Sequence, residues 1–269
     1  MTSTAAVPVA VRRVGMDRAR DIVDLVRVLA ARELKVRYRR SSLGWLWSVL
    51  HPLLLMLVFH LVFSEVFRFD VPSYPVYALA GLLCWNFVQQ GIVSSMHCLR
   101  VQSAFVTKLP VARMVFPAAV VMAGAANLLL ALAPLVVLMF VTGRPPTAAF
   151  PLLAAGLIIA TAFTLGIAML LAPLAVMYSD VMEIVSVGLT LVMYLTPVFY
   201  PMEIVPPHLR WALLANPMTW ILRVFRDPIY AGQAPPIEAL AIAGAWAAVS
   251  LLAGIAWFRH TDARIPFEI

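Results

Sequence analysis

Charge is scarce in this chain. Only 12% of its 269 residues are Asp, Glu, Lys or Arg, while 63% are hydrophobic. A soluble domain carries roughly 25% charge, so this composition excludes a single water-soluble core. The apolar runs are continuous and do not alternate, which argues against a β-barrel. Lysine is almost missing: Lys35 and Lys108 stand alone, and neither follows a glycine. No GxxxxGK[ST] phosphate loop exists, so the chain cannot hold ATP in that mode. Cysteine is limited to Cys84 and Cys98, without CxxC spacing, and free thiols are expected. There is no HExxH, no GxSxG and no cluster of metal-ligating side chains, so no catalytic residue and no metal site are expected. The histidines are scattered, and His51 and His60 fall on different sides of one helix. Acids deep in an apolar run are also lacking, because Glu65, Asp180, Glu183 and Glu203 all sit near run ends. Proton relays need a carboxylate in mid-membrane, so proton or sodium coupling is disfavoured. The first twenty residues lack the apolar core of a cleavable signal. The net charge of +7 does not point to nucleic acid, because the basic residues lie beside apolar runs, where they set membrane orientation.

What the chain does have is concentrated first between Asp21 and Phe67. Ile22, Leu25, Val26, Leu29 and Ala30 repeat with the spacing of one helical face. The basic run Lys35-Val36-Arg37-Tyr38-Arg39-Arg40 follows, then Ser41-Ser42-Leu43-Gly44-Trp45-Leu46-Trp47 and an uncharged stretch to Glu65. An amphipathic surface helix, a cationic belt, a tryptophan anchor and a membrane span thus succeed one another. Residues 1–16 read as a flexible tail and 17–40 as the interface helix with its belt. A transmembrane domain covers 41–259, and a tail covers 260–269.

Charge-free intervals mark six spans: Arg40 to Glu65, Asp70 to Arg100, Arg113 to Arg144, Arg144 to Asp180, Glu183 to Glu203, and Glu238 to Arg259. Each holds the roughly 20 residues that a crossing helix needs. The fold class is therefore all-α, a polytopic membrane protein. With both termini in the cytoplasm, fifteen Lys and Arg lie inside and five outside, as the positive-inside rule demands. Between spans five and six, Trp211 to Leu222 is uncharged but reaches only about 18 Å as a helix, short of the ~30 Å hydrocarbon core. Residues 196–232 are expected to dip into the membrane from the outer side and return. An external surface loop is the plainer alternative. Arg210, Arg223 and Arg226, flanking the apolar part, are expected to reach out to headgroups or water.

Without an ATP site or a proton relay, any transport must draw its energy from a partner. The surfaces offered to one are the amphipathic helix, the loop around Thr107, Lys108, Leu109, Pro110 and Arg113, and the turn at Asp180. Arg37, Arg39 and Arg40 sit where they can bind anionic lipid, or guide a phosphate-bearing headgroup. Aromatics gather toward span ends. Most serve as interfacial anchors, while Trp47, Phe59, Phe63, Tyr194, Phe199 and Tyr200 are candidates to line a path for sugar.

The run Arg32-Glu33-Leu34-Lys35-Val36-Arg37-Tyr38-Arg39-Arg40-Ser41-Ser42-Leu43-Gly44-Trp45-Leu46-Trp47, followed by His51-Pro52-Leu53, resembles the entry signature of type-2 ABC exporter permeases. It is most similar to the branch exporting O-antigen, teichoic acid, capsule and related polysaccharides. Thr107-Lys108-Leu109-Pro110 with Phe116-Pro117 resembles the coupling region of that family. Thr196-Pro197-Val198-Phe199-Tyr200, Ile204-Val205-Pro206-Pro207 and Asn216-Pro217-Met218 resemble its outer re-entrant helices. The resemblance runs from about Asp21 to Arg259. It departs at Ser179, where the family often has an arginine before the aspartate, so a salt bridge from that position is absent or replaced.

The resemblance implies a homodimer of permeases in a bacterial plasma (inner) membrane, bound to two ATP-binding cassette subunits that carry ATP and Mg. It implies no cofactor on this chain, and a lipid-linked glycan, commonly on undecaprenyl pyrophosphate, moving between the two copies along spans one and five. Other cargoes of the same machinery (a drug, a lipid or haem) stay open. An intramembrane lipid-modifying enzyme would require a reactive constellation that the sequence lacks. A membrane scaffold would lack the ATPase partner.

Overall fold

The computed structural model describes residues 19–38, 46–62, 72–103, 112–262 and 265. Among these there are helices and turns but no strands. In chain order the helices are α1 (Ala19–Tyr38), α2 (Leu46–His60), α3 (Tyr74–Val101), α4 (Val115–Val141), α5 (Leu153–Met177), α6 (Val181–Tyr194), α7 (Arg210–Ala215), α8 (Pro217–Arg226) and α9 (Ile237–Thr261). A 3-10 turn leads into α5, two more precede α7, and a π turn (Asp227–Ala231) follows α8.

Among the described residues four helices are long and apolar enough to cross a bilayer: α3, α4, α5 with its leading turn, and α9. The other two expected spans are shorter. The 15 residues of α2 reach about 22 Å and the 14 of α6 about 21 Å at 1.5 Å per residue. The physical reason is clear at α6. Its charge-free interval runs on to Glu203, but Thr196 precedes Pro197, and a residue before proline is pushed out of the helical region. Charge counting does not register that stop. For α2, residues 63–71 lie outside the described part of the chain.

At the centre stands α3, buried almost all round, with Trp85, Leu79, Leu82, Met96 and Leu99 nearly inaccessible. Helices α2, α4, α5 and α8 all pack against it. Small residues such as Ala78, Ala80, Gly81 and Cys84 line it and let neighbouring backbones come close, which is how helices associate where water gives no drive. Both cysteines are free and buried.

The tightest helix pair is α5 with α9. A Cβ on Gly254 would collide with the backbone of Gly166, and a Cβ on Gly166 with the backbone of Ser250 and Leu251. The two helices therefore meet backbone to backbone.

One end of the bundle gathers α1, the end of α3, the start of α4, the end of α5 and the end of α9. There Leu99, Val115, Phe116, Val176 and Phe258 form a buried cluster. Ile22, Leu25, Val26 and Leu29 of α1 pack on it, and Ala30 is buried against Ala119 and Ala123. This is the face read from the helical spacing. Val23, Val28 and Val36 on the other side are exposed.

Candidate functional site

The opposite end is closed by the segment 196–232, folded down onto the start of α3. Asn216 organises its turn. Extended at φ −81, ψ 118, as a residue before proline must be, it ends α7. Its Oδ1 then accepts the Met218 N–H at 2.9 Å and so caps α8. Its Nδ2 donates to Thr196 Oγ1 at 2.8 Å, tying the hairpin to the end of α6. Met218, Ile221, Leu222 and Phe225 form the buried face of α8, spaced at i, i+3, i+4, i+7.

Arg226 lies on that same face, four residues beyond Leu222, and is only 7% exposed. Its two terminal nitrogens each donate at 2.8 Å, Nη1 to the Pro197 carbonyl and Nη2 to the Val198 carbonyl. Its guanidinium carbon sits 3.8 Å from the centroid of the Tyr77 ring, a cation–π stack in a dry setting. Nε finds no partner among the described residues. The outward-reaching role expected for Arg226 is therefore corrected. The Thr196–Pro197–Val198 turn leaves two carbonyls pointing into the protein, and a buried fork of donors satisfies them better than headgroups would. Arg223 does stay half exposed, 3.6 Å from Asp227. Arg210 turns back to the carbonyls of Val205 and Glu203, both at 2.9 Å.

Tyrosines complete the clasp. Tyr77 donates to the Tyr200 carbonyl at 2.8 Å and Tyr74 to the Phe199 carbonyl at 2.9 Å. Tyr230 meets Tyr77 edge-on at 5.1 Å and donates to the Pro72 carbonyl at 2.8 Å. Gly81 makes room: a Cβ there would strike the Arg226 Nη2 and come within 2.7 Å of the Val198 carbonyl oxygen. Burial raises the carboxyl of Asp227 above its ordinary range, and Arg223 and Arg226 oppose that rise. The hairpin leaves through Gly232, left-handed at φ 64, whose carbonyl accepts from Thr147 at 3.0 Å.

At the α1 end, Arg113 makes an ion pair with Asp262 at 3.1 Å and donates to its carbonyl at 3.1 Å, joining the start of α4 to the end of α9. Arg100 donates to the Val176 carbonyl at 3.3 Å. Asp180 stands exposed at the start of α6. The Ser179 hydroxyl donates to it at 3.1 Å, and no salt bridge reaches it among the described residues. Among those residues no group of side chains could hold a metal ion either.

The other expected site residues fall as follows. Arg39, Arg40, Phe63, Thr107, Lys108, Leu109 and Pro110 lie outside the described residues, as do the side chains of Arg37 and Phe59. Trp47 on α2 and Tyr194 on α6 are exposed, at 50% and 65%. Tyr200 donates to the Tyr194 carbonyl at 2.8 Å. Phe199 is buried in the main core. The clasp of Arg226, Tyr77 and Gly81 escaped the sequence reading. Its one signal was the helical period that sets Arg226 above Leu222 on the apolar side of α8.

Several helices carry bare apolar faces, α4 and α9 among them. Leu54, Leu57 and Val58 form an exposed stripe on α2 that Leu61 continues just past its end, and Ile184, Val187, Leu191 and Tyr194 form one on α6. Both follow helical spacing. Both helices lean on α3.

Residues 24–230 match the family described as ABC-2 type transporter. The chain is similar to a protein of Klebsiella pneumoniae named O-antigen export system permease protein RfbA. The two are 31% identical over 210 residues, 77% of this chain and 80% of that protein. A protein of the same name from Myxococcus xanthus is 33% identical over 231 residues, 83% of this chain and 89% of its own length. The match spans the amphipathic helix, the central α3 and the clasped hairpin alike, and on it the chain belongs to the ABC-2 type transporter family.

Proposed function

We propose that this chain is the permease subunit of an ATP-driven exporter that moves a lipid-linked polysaccharide, of O-antigen kind, across a bacterial plasma membrane. The observation that carries this reading is the likeness to O-antigen export permeases along 80–89% of their length. The chain has six spans. α2 and α6 are two of them, short as they are. Both termini and the α1 end face the cytoplasm, and 196–232 re-enters the membrane from outside. The burial of Leu213, Met218, Ile221 and Leu222 supports re-entry, since such a segment finds no reason to float in water.

Two copies face each other across the exposed stripes of α2 and α6, and the glycan passes between them. Two ATP-binding cassette subunits supply ATP and Mg chemistry from the cytoplasmic side. They dock on Thr107 to Pro110, on Arg113 and on Asp180. Arg37, Arg39 and Arg40 receive the phosphate-bearing headgroup, since arginine matches phosphate oxygens with paired donors. Trp47, Phe59, Phe63, Tyr194, Phe199 and Tyr200 offer ring faces to sugar along the path, Phe199 once the hairpin that buries it has opened.

The test is deletion of the coding sequence in its host, with fractionation of glycan on either side of the plasma membrane. Lipid-linked glycan should accumulate inside and vanish from the surface, and the intact chain should restore it. Unchanged surface glycan would remove the reading. Loss of drug resistance or haem transfer with intact glycan would assign the same machinery another cargo.

A further inference from the structure

The α1 end contains a cavity of about 360 Å³ between α1, the last turns of α3 and the first half of α4. Its walls are of two kinds. Glu33, Ser94, His97 and Gln102 supply polar groups, while residues such as Val93 and Val120 supply apolar surface. Gln102 is only 8% exposed. Its Nε2 donates to Glu33 Oε1 at 2.9 Å, joining α3 to α1. Because a carboxylate only accepts, that contact fixes the amide orientation and leaves Gln102 Oε1 as a buried acceptor with no partner among the described residues. Glu33 has no salt bridge among the described residues, although its helix is rich in arginine. The cavity therefore holds an acid and, beside it, a buried acceptor to spare.

We propose that this cavity binds the ammonium group of an aminophospholipid from the surrounding leaflet. The proposal rests on the reading that the α1 end lies at a membrane surface. An ammonium supplies three N–H donors and a positive charge, which match Glu33 and the spare acceptor. The glycerol and upper acyl region suit the apolar walls. The lone carboxylate disfavours an anionic headgroup such as the pyrophosphate of a carrier lipid, so this site is separate from the basic belt. A lipid seated here wedges α1 against α3 and α4, and the angle of the interface helix then depends on membrane composition.

The test uses the full chain, purified and delipidated, titrated with phosphatidylethanolamine or with phosphatidylcholine of identical acyl chains. Bound lipid is counted by native mass spectrometry. The two lipids differ at the nitrogen, which carries three N–H donors in one and three methyl groups in the other. Wild type should retain the ethanolamine lipid about tenfold more strongly, a difference in the range of one charge-assisted contact. Glu33→Gln should erase the preference, and Ser94→Leu, which fills the cavity without changing charge, should erase it too. Equal retention of both lipids by wild type would overturn the proposal, and so would a preference that survives either substitution. The wild-type comparison decides even if a variant does not fold. The measurement needs neither ATPase nor glycan, so its failure is separate from failure of the export reading.

Discussion

The guanidinium carbon of Arg226 sits over the ring of Tyr77, 3.8 Å from its centroid, while its two terminal nitrogens hold the carbonyls of Pro197 and Val198. One side chain thereby joins three pieces of chain far apart in sequence: the start of α3, the turn after α6 and the end of α8. Tyr77 completes the circuit by donating to the Tyr200 carbonyl. The hairpin is thus fastened to α3 by a buried cation over an aromatic ring and by the hydroxyls of Tyr74 and Tyr77.

The first expectation is that Arg226→Lys destabilises the protein although charge is kept. A lysine cannot reach both carbonyls with a planar fork or stack as arginine does. The cost should be about 1.5–3 kcal/mol, the range for hydrogen bonds to charged groups. Thermal unfolding in detergent, followed by tryptophan fluorescence, measures it. An unchanged transition would show that the clasp is not a load on the fold.

Gly81→Ala should harm the same contact from the other side. The added methyl meets the guanidinium and the Val198 carbonyl, and overpacking of this kind costs about 1–3 kcal/mol. In the double variant Gly81→Ala with Arg226→Met the cost should be less than the sum, because one of the two obstacles has gone. Additive effects would separate the two residues.

Single cysteines in the hairpin should divide by burial. With a membrane-impermeant thiol reagent, Leu214→Cys should label fast, since Leu214 is 43% exposed. Leu213→Cys, Met218→Cys and Ile221→Cys should label slowly, because labelling must wait for local opening. Repeating the experiment with Arg226→Lys should speed the slow three. Equally fast labelling at all four positions would describe a solvated loop.

The ion pair of Arg113 with Asp262 is part-exposed, and such pairs contribute about 0.2–1 kcal/mol. Asp262→Asn should therefore leave stability nearly unchanged. If the start of α4 carries the ATPase signal to α9, transport driven by ATP should fall by a larger factor than stability does. Paired measurements of unfolding and of export in vesicles distinguish the two, and export that follows stability would deny the pair a coupling role.

Much of this was legible in the chain. The packed face of α1 follows from the spacing of Ile22, Leu25, Val26, Leu29 and Ala30, because a helix must turn its apolar side to something. The burial of the hairpin follows from an apolar stretch too short to cross, and its break from the proline after Asn216. Helix lengths were less legible, because charge marks where a run must end and proline stops it earlier, as at Thr196. Arg226 flanks the apolar stretch as Arg210 and Arg223 do, and that position alone reads as an outward cation. What distinguishes it is the pair of carbonyls freed by a turn about thirty residues upstream, and no local pattern contains that information.

The contact of Gly166 with Gly254 also has a consequence for how the protein is made. α5 leaves the ribosome long before α9, and until Gly254 arrives the groove at Gly166 has nothing to receive but lipid. The chain leaves this seam open until the segments between the two helices have been made. Its last helix must slide in beside one inserted much earlier, and a nascent chain halted short of Gly254 would present an open seam to the quality-control proteases of the membrane.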